Sequence, residues 1–244
     1  MKRLGVFLLA TVLGLIAVIV GEGCWAAHGA VADFQNPNGA PERFPGEGSP
    51  LVYLVLGDST GAGRGAPPPD GIAPGTAKHL AEHGPVTLIN VSISGARMHD
   101  VRTDQLPRVR GLKPDVVLIA AGANDVAHLT SRNRVLADLR EIILAMRAAN
   151  PRVRIVLTGS PQMGSVPRFP FPLNKIAQAR TNDFNAGFDT LAEELHVVRA
   201  HVAEETGPAF AADPTLFDSD AYHPNARGYL LWLRVLDAAL DRTS

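Results

Sequence analysis

Apolar and polar residues alternate along the chain in blocks typical of strands followed by helices. The block Leu51–Leu56 is an unbroken apolar run. A strand with that pattern is buried on both faces, as in a parallel sheet covered by helices. Four further segments are predicted as strands on the same grounds: Val86–Ser92, Asp115–Ala121, Val153–Thr158 and His196–Val202.

Helices are predicted between these strands. The clearest is Ser131–Asn150, whose apolar stripe consists of Val135, Leu139, Ile142 and Met146. The other predicted helices are Thr76–His83, Asp100–Val109, Ile176–Leu195 and Pro224–Leu240, the last with Leu230, Leu233, Leu236 and Leu240 facing inward. The alternation of strand and helix predicts an α/β fold, a parallel sheet with helices on both faces.

The amino terminus has the pattern of an export signal. Lys2 and Arg3 precede the charge-free run Leu4–Val20, and a basic start of this kind stays in the cytoplasm while the following chain is exported. We expect residues 1–23 to act as a signal peptide or as an N-terminal membrane anchor, and the sequence leaves both open. The single cysteine, Cys24, excludes an intrachain disulfide and a cysteine-based metal cluster.

Residues 24–49 are rich in glycine and proline and are predicted to be a linker, so that the folded domain spans residues 50–244. A domain of that length can bury a sizeable core. The net charge of −1 gives no electrostatic case for a nucleic-acid partner. We expect a secreted or membrane-tethered monomer.

Three predicted strands end in polar turns that contain glycine. These turns are Gly57-Asp58-Ser59, Ser94-Gly95 and Gly122-Ala123-Asn124-Asp125. Because parallel strands end along one edge of their sheet, the three turns can converge there. Near the carboxyl terminus, Asp220 precedes His223 by three residues. A serine nucleophile needs a base and a group that orients the base, and Ser59, His223 and Asp220 can supply these roles.

Taken together, these four segments resemble the SGNH hydrolases, also called GDSL esterases and lipases, although Thr60 replaces the leucine usual in the first block. The resemblance implies a three-layer α/β/α sandwich around a central, mostly parallel five-stranded, flavodoxin-like sheet. It also implies a Ser59–His223–Asp220 catalytic triad that hydrolyses carboxylic esters without metal or cofactor. The implied oxyanion hole consists of the N–H groups of Ser59 and Gly95 and the side-chain amide of Asn124.

Two other classes of function stay open. Gly61–Ala66 fits a dinucleotide fingerprint, which would make the protein a nucleotide-binding module, although Pro67-Pro68-Pro69 follows where a helix should begin. A non-catalytic binding domain on the same fold is the second. A third pattern, His79-x-x-Glu82-His83, matches a zinc-protease signature on a short helix and is interpreted as a solvated helix face.

The substrate is less defined than the reaction. Segment Ser160–Asn174 follows a strand and should border the site, where Met163, Phe169 and Phe171 can line an acyl pocket or pack the loop on the core. An external location favours a small-molecule, lipid or cell-envelope ester as substrate.

Overall fold

The structure is a computed structural model that describes residues 34–243. The predictions for the export signal and Cys24 concern residues outside this range. Within it, no helix is both long and apolar enough to cross a membrane.

A six-stranded sheet forms the centre of the domain. Its strands are β1 (Glu42–Phe44), β2 (Leu51–Gly57), β3 (Val86–Asn90), β4 (Val116–Ala120), β5 (Arg154–Leu157) and β6 (Val198–Arg199). Their order across the sheet is β1-β3-β2-β4-β5-β6. β1 pairs antiparallel with β3, and all other pairs are parallel.

The order of the strands sets the position of the site. β2 lies between β3 and β4, with Leu51 opposite Val86 on one side and Tyr53 opposite Val116 on the other. The chain therefore leaves β2 toward one side of the sheet for β3 and then crosses to the other side for β4. The end of β2 is thus a topological switch point, where open α/β sheets bind their ligands.

Seven α-helical segments surround the sheet within the described residues. They are α1 (Ile72–Ala81), α2 (Met98–Asp100), α3 (Ala123–Ala127), α4 (Arg132–Ala149), α5 (Leu173–Glu194), α6 (Val202–Ala212) and α7 (Ala226–Asp241). α1 and α6 pack against α7, whereas α4 packs against α2 and α5. Because crossovers between parallel strands are right-handed, the reversal at β2 puts these two groups on opposite faces of the sheet.

The segments that are apolar in the sequence form the buried core of the domain. All five residues of β4 and the last five of β2 are buried. On α4, the predicted stripe of Val135, Leu139, Ile142 and Met146 is buried. The predicted three-layer α/β fold with a mostly parallel sheet is confirmed.

Three details differ from the sequence predictions. The sheet has one more strand than the five predicted, because β1 adds to the edge from within the segment predicted to be a linker. Its charged Glu42 and Arg43 carry no apolar signal, and an edge strand needs none. Helix α6 was not predicted.

The third difference lies on α7. Leu230 was predicted to face inward but is 58% exposed, and Leu233 is half-buried. The inward face is set instead by Tyr229, Trp232 and Leu236, which are spaced three and four residues apart and are buried. The large aromatic side chains bury more apolar area than the leucines, and this fixes the rotation of the helix.

Candidate active site

Ser59, His223 and Asp220 form a continuous chain of hydrogen bonds. The Ser59 Oγ lies 2.8 Å from His223 Nε2. On the opposite side of the ring, His223 Nδ1 lies 2.5 Å from Asp220 Oδ2. Ser59 and His223 are separated by 164 residues of chain, so only the fold brings them together. The nucleophile, base and orienting acid expected from the sequence thus lie in hydrogen-bonding order.

Backbone groups of the turn that carries His223 hold the Asp220 carboxylate in place. Asp220 Oδ1 accepts hydrogen bonds from the backbone N–H groups of Tyr222 and His223, both at 2.9 Å. Burial alone would raise the pKa of Asp220, but the hydrogen bonds from the His223 ring and from these N–H groups outweigh it and lower the pKa. Asp220 is therefore an anion at neutral pH and stabilises a positive charge on the imidazole.

Ser59 stands at the start of a helical turn. The Ala62 N–H donates to the Asp58 carbonyl, and the Arg64 N–H donates to the Ser59 carbonyl. At such a start, the first N–H groups have no partner within the turn. Among residues 34–243, no acceptor is bonded to the N–H of Ser59, and this donor is left for a ligand in the cleft.

Gly95 and Asn124 lie on the same cleft as Ser59. Gly95 has φ +88° and, among the described residues, no atom lies within 4 Å of where a Cβ would stand. The left-handed backbone, not a lack of room for a side chain, favours glycine at this position. The Asn124 amide donates one hydrogen to the Ala96 carbonyl at 3.0 Å, which fixes the amide and leaves its second hydrogen to another acceptor.

The cleft around these residues has a volume of about 430 Å³. Its mouth and walls are formed by the polar site residues and by an apolar group from the loop before α5 and from α5 itself: Phe169, Leu173, Ile176 and Ala177. This size and mixture are typical of a small-molecule site.

The predicted substrate loop divides into three different environments. Phe169 lines the cleft and stacks edge-on against Tyr222, with ring centroids 5.9 Å apart. Met163 is buried in the core and lines a separate apolar void behind His223. Phe171 is 73% exposed and does not border the cleft. Of the three residues, only Phe169 is placed to contact a substrate.

Comparison with known families decides the class of this site. The model of the GDSL-like Lipase/Acylhydrolase family matches residues 55–231, nearly three quarters of the chain. The chain belongs to this family. The resemblance to SGNH hydrolases is thereby confirmed, and the protein is an ester-bond hydrolase.

Solved structures show the same fold. The crystal structure of TesA is 19% identical, with a TM-score of 0.64, and the match covers 79% of this chain and 99% of that one. Axe2, an acetylxylan esterase from Geobacillus stearothermophilus, is 22% identical, with a TM-score of 0.59, over 79% of this chain and 95% of Axe2. A GDSL-family lipolytic protein from Veillonella parvula is 17% identical, with a TM-score of 0.64, over 80% and 100% of the two chains. Among curated proteins, none matches the sequence.

In this GDSL-type hydrolase, the glycine-rich loop after Ser59 packs against the turn that carries His223. A Cβ on Gly65 would stand 2.3 Å from the Pro224 carbonyl oxygen, so only glycine allows the loop to pack on the turn that carries His223. The Arg64 carbonyl accepts a hydrogen bond of 2.7 Å from the Tyr229 hydroxyl. No helix begins at this loop; a 3-10 turn follows at Pro68–Asp70 and α1 begins only at Ile72. The dinucleotide interpretation lacks the helix that it requires.

The His79-x-x-Glu82-His83 pattern lies on α1 and just beyond its end. His79 Nε2 is hydrogen-bonded to Asp241 Oδ1 at 2.8 Å. In the described part of the chain, no group of three or more potential ligands is arranged to hold a metal ion.

Two buried carboxylates, Asp58 and Asp125, bind the backbone of loops that border the site. Asp58 Oδ1 accepts hydrogen bonds from the N–H of Thr60 at 2.9 Å and from its hydroxyl at 2.8 Å, which shapes the turn that bears Ser59. Asp125 Oδ2 accepts a bond of 2.8 Å from the Met98 N–H and so joins the Asn124 helix to the segment after Gly95. Burial raises the pKa of both groups, that of Asp58 to about 6.

Sequence reasoning missed two residues at this site. Gln105 is fully buried, and its amide binds both backbone groups of Gly57, accepting from the N–H at 2.9 Å and donating to the carbonyl at 2.7 Å. It thereby fixes the end of β2, two residues before Ser59. Arg168 lines the cleft and is only 8% exposed. Neither residue belongs to a recognisable pattern, because only the fold brings each of them to the site.

Proposed function

We propose that this hydrolase is an exported serine esterase that cleaves carboxylic esters through a covalent acyl-enzyme. Ser59 is the nucleophile, His223 is the general base and then the general acid, and Asp220 orients the imidazole. Family membership supports the ester-hydrolase class. The residue roles rest on the hydrogen-bonded chain from Ser59 Oγ through the His223 ring to Asp220.

In the first half of the reaction, Ser59 Oγ attacks the ester carbonyl and His223 Nε2 takes its proton. The tetrahedral intermediate expels the alcohol, which receives that proton from His223, and the acyl group stays on Ser59. In the second half, His223 takes a proton from water, the hydroxide attacks the acyl-enzyme, and the acid leaves while the proton returns to Ser59. Asp220 remains ionised and stabilises the imidazolium in both halves.

The negative charge on the intermediate needs hydrogen-bond donors that are in place beforehand. The N–H groups of Ser59 and Gly95 and the second amide hydrogen of Asn124 are proposed to supply them. Loss of one such donor costs other hydrolases about 3–4 kcal/mol of transition-state stabilisation. The proposed triad and oxyanion donors all lie in this one chain, so the proposed reaction needs no residue from a second copy.

A fluorophosphonate probe and a chromogenic butyrate ester test the nucleophile. Wild-type protein should be labelled on Ser59 and should hydrolyse the ester, whereas Ser59→Ala should lose labelling and several orders of magnitude in kcat with an unchanged melting temperature. Ser131→Ala is the matched control, because Ser131 is exposed at the start of α4 and forms no side-chain cap there. Labelling of another serine, or full activity of Ser59→Ala, would refute the assignment.

Export is proposed from the sequence of the first residues. Lys2, Arg3 and the charge-free run Leu4–Val20 support translocation of the domain, followed by cleavage or by membrane anchoring. A lipid or cell-envelope ester is then the proposed substrate class. A periplasm-dependent phosphatase fused to the carboxyl terminus should be active, and an inactive fusion with normal expression would contradict export.

A further inference from the structure

Arg168 is a buried cation on the cleft that holds Ser59 and His223. Its residue surface is 8% exposed, and an arginine buried to this degree is ordinarily paired with a carboxylate. Here its backbone N–H donates to the Ala221 carbonyl at 3.1 Å, which anchors the residue beside the turn of the triad. Within residues 34–243, no hydrogen bond or ion pair engages its guanidinium group.

The guanidinium group of Arg168 is not sealed in the core. Arg168 lines the same cavity as Ser59 and His223. Its nitrogens are not among the sealed polar atoms without a partner in the described part of the chain, so the small exposed fraction includes them. Tyr222, the neighbour of His223 in the chain, lines the same cleft.

The other charged residues of the cleft already have partners. Arg64 donates to the Ser94 hydroxyl at 3.0 Å. Arg180 donates to the carbonyls of Val126 at 3.2 Å and Thr130 at 2.7 Å. The carboxylate on the cleft, Asp220, is bound to His223. Among the described residues, the cleft therefore has an excess of positive charge, and within residues 34–243 Arg168 is the cleft cation whose side-chain hydrogen-bond donors are left for a ligand.

From this arrangement we infer that Arg168 recognises an anionic oxygen group, a carboxylate or a phosphate, on the ester that the enzyme hydrolyses. This inference rests on the proposed function, because it names the substrate class of the same site. A planar guanidinium binds both groups with two parallel N–H bonds, and the partly enclosed cleft strengthens the attraction. Phe169, Leu173 and Ile176 contact the apolar part of the same substrate.

The test compares matched esters that differ by one anionic group. On the acyl side, the pair is 4-nitrophenyl valerate and the 4-nitrophenyl monoester of glutaric acid. On the alcohol side, the pair is 1-butyrylglycerol and 1-butyrylglycerol 3-phosphate. The pair in which the wild-type enzyme prefers the anionic member shows which side of the scissile bond carries the charge.

Arg168→Gln should lower kcat/KM for the preferred anionic ester by about 10- to 100-fold, the usual effect of a charged hydrogen bond. The neutral member of the pair should change by less than about twofold. The loss should fall mainly on KM, because the anion lies away from the reacting carbonyl and is bound in ground and transition state alike. Arg168→Lys should keep part of the preference, since it retains the charge but loses the planar fork.

Arg134→Gln on the exposed part of α4 is the matched control and should change neither member of a pair. Equal losses on anionic and neutral esters in Arg168→Gln would assign Arg168 a structural role and overturn the inference. A wild-type preference for the neutral member of both pairs would overturn it as well, even if Arg168→Gln failed to fold. In either case, hydrolysis of the neutral esters would leave the proposed function intact, whereas wild-type protein inactive on all four esters would refute both.

Discussion

The Asp58 carboxylate offers a direct test of how the site is built. Asp58 is 1% exposed and shapes the turn of Ser59 through its two bonds from Thr60. Both of these bonds are accepted by one oxygen, Oδ1. An asparagine side chain also has an oxygen in that position, so Asp58→Asn can keep the turn while removing the buried charge.

The size of the effect follows from the pKa. Burial is the largest cause, and with smaller opposing contributions from Thr60 and His223 it raises the pKa of Asp58 from 3.8 to about 6. A difference of one in pKa corresponds to about 1.4 kcal/mol. The folded state therefore disfavours the charged form by about 3 kcal/mol relative to the unfolded chain.

The sign of the pH dependence is fixed by the direction of this rise. Because the folded-state pKa exceeds the unfolded value, the stability associated with protonated Asp58 is complete below about pH 3.8 and is lost as pH rises through about 6. Asp58→Asn removes this loss. We expect the variant to be more stable than wild type by up to about 3 kcal/mol at pH 8 and by almost nothing near pH 4.

Urea unfolding followed by circular dichroism at pH 4, 6 and 8 measures the difference. Asp70→Asn serves as the control, because Asp70 is exposed and its substitution should change stability by less than about 0.5 kcal/mol. An Asp58→Asn variant that is less stable at pH 8, or that differs from wild type by the same amount at all three pH values, would refute the assignment of a buried-charge cost to Asp58.

Three further predictions concern catalysis and the edge of the fold. Asn124→Ala should lower kcat by about 100- to 1000-fold with little change in KM, as steady-state kinetics will show, because the amide is needed mainly for the oxyanion; an unchanged kcat would make Asn124 structural. Asp220→Asn should lower kcat by less than the about ten-thousandfold seen in a serine protease, because the backbone N–H groups of Tyr222 and His223 still hold the turn; unchanged kcat would exclude the carboxylate from catalysis. A chain that begins at residue 46 should have a free energy of unfolding about 1–3 kcal/mol lower than one that begins at 34, because it loses the hydrogen bonds of Asn36 to Ser94 and of Asn38 to Arg108; equal urea midpoints would show that residues 34–45 contribute nothing.

The truncation at residue 46 removes residues that the composition had predicted to be part of a linker. Glycine and proline in residues 24–49 predicted a linker, yet part of the segment is bound to the domain. Asn36 Oδ1 accepts a bond of 2.7 Å from the Ser94 N–H, next to Gly95, and the Asn38 carbonyl accepts one of 3.1 Å from Arg108. Such contacts leave no periodic pattern, because they are made by single polar residues on an edge rather than by an apolar face.

The central strands and the site residues could be predicted from the sequence, because they do leave a pattern. β2 and β4 are buried on both faces and must be apolar throughout, so their limits show where the polar turns begin. Ser59 follows the end of β2 and Asn124 the end of β4, whereas Gly95 follows the half-buried β3, and parallel pairing places the three strand ends at one edge. On α7, the sequence predicted the helix but not its rotation, since Leu230 and Trp232 are both apolar and only packing decides between them.

Asp58 and Asp125 lower the stability of the folded state but hold the loops of the proposed active site. Burial of Asp58 and Asp125 raises the pKa of both carboxylates, so each is costly to keep ionised. Each also accepts a backbone hydrogen bond that shapes a loop of the proposed oxyanion hole, one at Thr60 and one at Met98. Charged acceptors make stronger hydrogen bonds than neutral ones and hold these loops more rigidly. Asp58→Asn can keep the two bonds from Thr60, but its neutral oxygen accepts them more weakly. The variant should therefore gain stability at pH 8 while the Ser59 turn is held less firmly and kcat falls, and a gain in both would show that the buried charge does not serve catalysis.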